Sequence, residues 1–252
     1  ARAPPPDPPA VGGGPAPAGQ TRLRGPGRPT VELLVLGDEL LTSGLPGDGR
    51  VRDALGPLLP PWLRTLGAEV VGHHRVPDAA TPLTEAVRRS PADVVVTTGS
   101  TAAGPVDFLH QALRAAGAEL LVDSVAVRPG HPMLLAALPG TGSRPARHLV
   151  GLPGNPLAAV AGLVTLAAPL LGRLGGRTPA GPHRARAAAA LPGHPADTRL
   201  VPVRRTEKGV TPLPYDGPAM LRGLARADHL AVLPPGGATV GEYLTLLALP
   251  SG

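Results

Sequence analysis

Four times between residues 29 and 156 an apolar run ends at a polar turn, and beyond each turn the apolar spacing becomes that of a helix. The runs are Val31–Leu36, Glu69–Val76, Asp93–Thr98 and His148–Leu152. The turns that follow them are Gly37-Asp38-Glu39, Pro77-Asp78, Gly99–Asp107 and Pro153-Gly154-Asn155. Strands alternating with helices in this way predict an α/β fold, a mostly parallel sheet with helices on both faces, because right-handed crossovers pack the helices on either side. Ligands of such sheets bind at the rim outside the strand carboxyl ends. Asp38, Glu39, Asp78 and Asp107 are therefore expected around one cleft.

The rest of the chain divides around this pattern. Residues 1–28 are mostly Pro, Gly and Ala, too poor in apolar bulk to offset the entropy of ordering them, and read as a flexible leader. Residues 29–175 hold the α/β unit. The helix expected around Leu55 to Leu66 contains Pro60 and Pro61, which should kink it or delay its start. Short strands are expected near Leu120–Val122, Met133–Leu135 and His148–Val150. Residues 182–252 read as a small β-rich domain with one short helix near Ala219 to Ala225.

Composition narrows the partners. A formal charge of +6 favours anions, yet aromatic residues make up only 2% of the chain and the arginines are scattered, which argues against nucleic acid. Cysteine is absent, so disulfides and thiolate-held metals are excluded, and a reducing, cytoplasmic location is expected. No secretory leader is visible behind Ala1-Arg2-Ala3, and without an initiating Met the chain reads as a fragment. The apolar run Leu157–Leu171 spans fifteen residues and is interrupted by Pro169; a bilayer needs roughly 20, so a helix buried on all sides, and no membrane, is expected.

Three turns carry candidate chemistry. The amides and hydroxyls of Gly99-Ser100-Thr101 and Gly104 precede a helix and suit an oxyanion. Pro153-Gly154-Asn155 opens onto the next helix with the same geometry, Pro156 fitting its first turn. Arg128-Pro129-Gly130-His131 sets one fixed and one titratable positive group on a stiff bend. Carboxylates beside an anion need a bridging cation, so Mg²⁺ is expected. The histidines show no zinc spacing, and no nucleophile elbow surrounds Ser100.

The ordered series Leu36-Gly-Asp-Glu-Leu40, Gly47-Asp-Gly-Arg-Val-Arg-Asp53, Arg75-Val-Pro-Asp78, Thr97-Thr-Gly99, Arg128-Pro-Gly-His-Pro132 and Leu152-Pro-Gly-Asn-Pro156 resembles the molybdopterin-binding domain of the molybdopterin molybdenumtransferase family. The tail, through Asp216-Gly-Pro-Ala-Met-Leu221 and Leu233-Pro-Pro-Gly-Gly, resembles that family's C-terminal β domain. The resemblance implies a cofactor-assembly transferase that inserts molybdate into adenylylated molybdopterin and releases AMP. It places Glu39, Asp78 and Asp107 at acidic catalytic positions, Glu39 and Asp107 as holders of Mg²⁺, and Arg128 and His131 where the family has two lysines. It also implies a homodimer, for which the all-apolar helix at 157–171 gives a second reason. Ser100 stands where a second glycine is usual, Ala102 for serine, Pro105 for an acid and Leu55 for asparagine, and the family's N-terminal domains are not recognisable in residues 1–28. Two alternatives follow: a non-catalytic molybdopterin-binding or scaffold module, and a nucleotide pyrophosphatase on the same domain type.

Overall fold

A computed structural model describes residues 27–101, 107–140, 142, 145–178, 181 and 183–250. The first sheet is built from β1 (Thr30–Leu36), β2 (Glu69–Val76), β3 (Val94–Thr98), β4 (Glu119–Asp123), β5 (Leu134–Leu138) and β6 (Arg147–Leu152). Their order across the sheet is β2-β1-β3-β6-β5-β4. Neighbours from β2 to β6 run parallel, and β5 is antiparallel to both β6 and β4. α1 (Leu55–Thr65) lies on one face, and α2 (Ala80–Arg89) and α3 (Phe108–Ala115) lie on the other.

Strand β1 shows why the sheet needs helices on both sides. Val31, Leu33 and Val35 join one core with Leu59 and Leu63 of α1, while Leu34 and Leu36 join a second core with Leu83 of α2 and Leu113 of α3. Each such burial stabilises the fold by roughly 1.5–3 kcal/mol. The β1–β3 register pairs Val31 with Val94 and Val35 with Thr98, so both strands end at the same level. From there the chain departs to opposite faces, towards α1 after β1 and towards α3 after β3, which opens a crevice between them.

Helix α1 departs from expectation. It starts at Leu55, ahead of both Pro60 and Pro61, which lie inside it. Its start is fixed by Asp53, whose Oδ1 accepts a hydrogen bond from the Gly56 amide at 2.8 Å. The prolines therefore do not delay the helix.

A further helix, α4, runs from Pro156 to Leu174 as one 19-residue rod. Its middle, Leu163–Ala167, is a π-helical turn in which the Ala168 amide donates to the Leu163 carbonyl. This wider turn lies just before Pro169, whose ring would crowd the Thr165 carbonyl in a regular helix. Pro169 thus does not interrupt the run, and by length and composition alone α4 is long and apolar enough to cross a membrane. Only 56% of its most apolar stretch is buried, and Pro169 and Arg173 are exposed, so it is not buried on all sides, contrary to expectation. Ala159, Leu163, Ala167 and Leu171 pack against the first sheet, and Leu157, Val160, Ala161 and Val164 pack with Leu200, Leu224 and Leu230 of the C-terminal region. The residues that cover its buried positions belong to the same chain, while Leu166, Leu170 and Leu174 stay partly exposed.

The C-terminal region forms an antiparallel sheet of β7 (His183–Arg186), β8 (Thr198–Thr206), β9 (Gly209–Pro212), β10 (His229–Leu233) and β11 (Tyr243–Ala248), in the order β7-β11-β10-β8-β9. Val201, Val203, Ala231, Leu233, Leu244 and Leu246 form its own core. The short strand Val127–Arg128 of the first unit pairs in parallel with β8. The helix expected near 219–225 is a single 3-10 turn, Leu224–Arg226. Gly223 explains the compact turn: a Cβ there would lie 2.6 Å from the Pro214 carbonyl oxygen, so the backbone is pressed against residues 214–215 instead of continuing a helix.

Candidate functional site

All four strand-end turns meet at one cleft of about 970 Å³. Gly37 and Glu39 come from the end of β1, Asp78 from β2, Gly99, Ser100 and Thr101 from β3, and Pro153, Gly154 and Asn155 from β6. Val51, Arg52, Asp53 and Leu55 form a further wall, and Ala219 and Leu221 of the C-terminal region close the far side. Sequence reasoning passed over this second group. The Gly47–Asp53 segment was visible as a motif, but nothing local showed that Arg52 faces the cleft, and Ala219 and Leu221 carry no polar signal at all.

The turns need particular backbones. Gly99 has φ +86°, and a Cβ there would sit 3.3 Å from the Leu36 carbonyl oxygen. Ser100 also occupies the left-handed region, with φ 51°. For a residue with a Cβ this conformation costs roughly 1–2 kcal/mol. Ser100 is the residue that replaces a glycine by resemblance, and the strain shows why glycine is the easier residue there.

Asp78 holds the most telling polar atom. Its Oδ2 accepts a hydrogen bond from the Asp38 amide at 3.1 Å. Its Oδ1 is buried and has no partner among the described residues. A buried carboxylate oxygen left unpaired is costly, so Asp78 carries an unmet acceptor beneath the lining. Asp38 itself serves through its backbone and is not among the lining residues.

Asp107, Arg128 and His131 also lie outside the lining. Asp107 caps α3: its Oδ1 accepts from the His110 amide at 3.1 Å and lies 2.7 Å from His110 Nδ1. His110 Nε2 reaches Asp123 Oδ1 at 2.8 Å. Burial by itself would lower the His110 pKa, but hydrogen bonds to Asp123 and Asp107, with their charges, outweigh it and raise it above the ordinary 6.5. The Asp107/His110 spacing at a helix start was legible; Asp123, on another strand, was not. Arg128 pairs with Asp197, and the His131 ring nitrogen Nδ1 lies 2.8 Å from the Val125 carbonyl oxygen, to which it donates. Gly104 lies outside the described residues.

The amides at the start of α4 are not open to an anion as the sequence suggested. Leu157 and Ala158 both donate to the Pro218 carbonyl, at 2.9 and 3.4 Å, so the C-terminal region caps this helix.

The described side chains do not fit a protein-built Mg²⁺ site. Among them no group of three or more His, Asp or Glu is placed to hold a metal ion. Asp107, expected as a ligand with Glu39, has its Oδ1 committed to His110, and the lining carboxylate of Asp53 caps α1.

Comparison with known proteins agrees with this architecture. Residues 32–173 match the family described as "Probable molybdopterin binding domain", and residues 184–246 match the "MoeA C-terminal region (domain IV)". The molybdopterin molybdenumtransferase of Nostoc sp. is 34% identical over 152 residues, covering 59% of this chain and 34% of the relative. That of Staphylococcus epidermidis is 28% identical over 227 residues, covering 86% of this chain and 53% of the relative. The chain thus spans about half the length, or less, of these curated relatives. A molybdopterin biosynthesis moeA protein from Pyrococcus horikoshii shares the fold, with TM-score 0.71 at 23% identity, over 89% of this chain and 55% of that one. With the first match covering more than half of its residues, the chain belongs to the molybdopterin-binding domain family, joined to a MoeA-type C-terminal region.

Proposed function

We propose that this chain binds molybdopterin or its adenylylated form in the cleft and acts in molybdenum cofactor biosynthesis, inserting molybdate and releasing AMP. The observation that carries the reading is the convergence of all four strand-end turns on one cleft, with Glu39 and Asp78 in its lining. A pterin presents amide and amino donors that lining carboxylates accept. Ser100, Thr101 and Arg52 line the same cleft, and hydroxyl and guanidinium groups suit phosphate oxygens; Arg52 Nη1 also donates to the Gly44 carbonyl at 2.8 Å. Glu39 and Asp78 accept protons or hydrogen bonds from the substrate. Asp107 contributes from the cap of α3. The substrates are small anions, and the homodimer belongs to the proposal through family membership.

A non-catalytic binding module is the second reading, favoured by one finding. Arg128 and His131, the residues standing where the family has lysines, are engaged with Asp197 and the Val125 carbonyl instead of facing the cleft. Incubation with adenylylated molybdopterin and molybdate, with and without Mg²⁺, followed by chromatographic measurement of AMP, separates the two. AMP release supports the transferase, saturable binding without AMP supports the module, and neither result removes both.

A further inference from the structure

We propose that His110 is a positioning residue for the cleft: clamped between Asp107 and Asp123, it fixes Asp107 at the N-terminus of α3 and ties that point to the edge strand β4. The geometry is closed at every contact. His110 Nδ1 lies 2.7 Å from Asp107 Oδ1, and Nε2 lies 2.8 Å from Asp123 Oδ1. With a carboxylate oxygen within hydrogen-bond distance of each ring nitrogen, the ring is gripped from both sides. The His110 amide also donates to Asp107 Oδ1, which therefore receives two bonds from one residue.

That double hold has a consequence for the cleft. With Oδ1 occupied, the carboxylate cannot flip without breaking both bonds, which leaves Oδ2 as the oxygen presented elsewhere. Phe108, the next residue, lines the cleft, so the clamp stands directly behind its wall. The His110 side chain is 8% exposed and that of Asp107 15%, whereas Asp123 is 55% exposed. The clamp is thus buried on the side of Asp107 and reaches solvent at Asp123, where it can be loosened with little effect on the core.

The proposal rests on the reading that the cleft binds adenylylated molybdopterin with help from Asp107. Its test is calorimetric affinity for that compound in the wild type, Asp123→Asn, His110→Gln, Asp107→Ala and the double variant Asp107→Ala/Asp123→Asn, with melting temperatures recorded for each. Asp123→Asn and His110→Gln are expected to weaken binding roughly tenfold. In the Asp107→Ala background, Asp123→Asn is expected to add nothing, because the clamp acts through Asp107. An equal loss in both backgrounds, or no loss in either, overturns the proposal. If the wild type does not bind at all, the binding reading fails, and hydrogen exchange at the start of α3 then decides the clamp. Faster exchange at residues 109–112 in Asp123→Asn sustains it; unchanged exchange overturns it.

Discussion

Arg128 crosses from the first unit to the C-terminal sheet, its Nε donating to Asp197 Oδ2 at 2.8 Å. The guanidinium beside Asp197 holds that carboxyl below its ordinary pKa against the opposing effect of desolvation. A residue expected to face an anion in the cleft instead joins two sheets, next to the parallel pairing of Val127–Arg128 with β8. Asp197→Asn is expected to speed hydrogen exchange at residues 127–128 and 198–199 and to leave the amides of β1 and β3 unchanged. Unchanged exchange at the junction would show that the pairing does not depend on this ion pair.

Relief of backbone strain gives a second expectation. Replacing Ser100, at φ 51°, by glycine removes the left-handed penalty but adds freedom to the unfolded chain. The balance is a gain of about 0.5–1 kcal/mol in urea unfolding. A loss of stability would mean that the Ser100 side chain contributes more to the fold than its backbone costs.

Core and surface leucines should behave differently. Leu163, fully buried within α4 in the core it shares with α1 and the first sheet, is expected to lose about 2–5 kcal/mol on truncation to alanine. Leu45, 92% exposed, should lose no more than about 0.5 kcal/mol. Urea midpoints at constant slope measure both, and equal losses would contradict the packing of α4.

Two histidines give opposite pH signatures. The His110 pKa lies above the ordinary 6.5, so its stabilising contribution is full below pH 6.5 and is lost as pH rises through the folded-state value. His229 is pushed below 6.5 by burial first, then by Arg205 and His183, so its contribution is present above pH 6.5 and is lost as pH falls through its folded-state value. Relative to wild type, His110→Gln should therefore cost most on the acid side of pH 6.5, and His229→Gln should flatten the loss of stability seen there. Parallel pH profiles for the two variants would contradict these assignments.

Much of the first unit was legible because its signals are local. Three successive valines at 94–96 mark a strand buried on both faces, and the turns after β1, β2, β3 and β6 follow from where each apolar run stops. What was not legible depends on distant parts of the chain. Nothing near Pro156 announces that Pro218 caps α4, nothing near Asp107 announces Asp123, and the partner of Arg128 lies 69 residues away. Pro169 departs from expectation for a related reason. Its usual effect is to break a helix, but packing on both sides of α4 retains the rod and a π-helical turn absorbs the proline.

The central claim is that the converging turns form a receptor with Asp78 in its lining. Isothermal calorimetry with adenylylated molybdopterin, comparing the wild type with Asp78→Ala, tests it most directly. One-to-one saturable binding, weakened roughly 10- to 100-fold by the substitution while the melting temperature stays within a few degrees, is the expected result. Equal affinity in the two proteins, or no heat of binding in either, would contradict it.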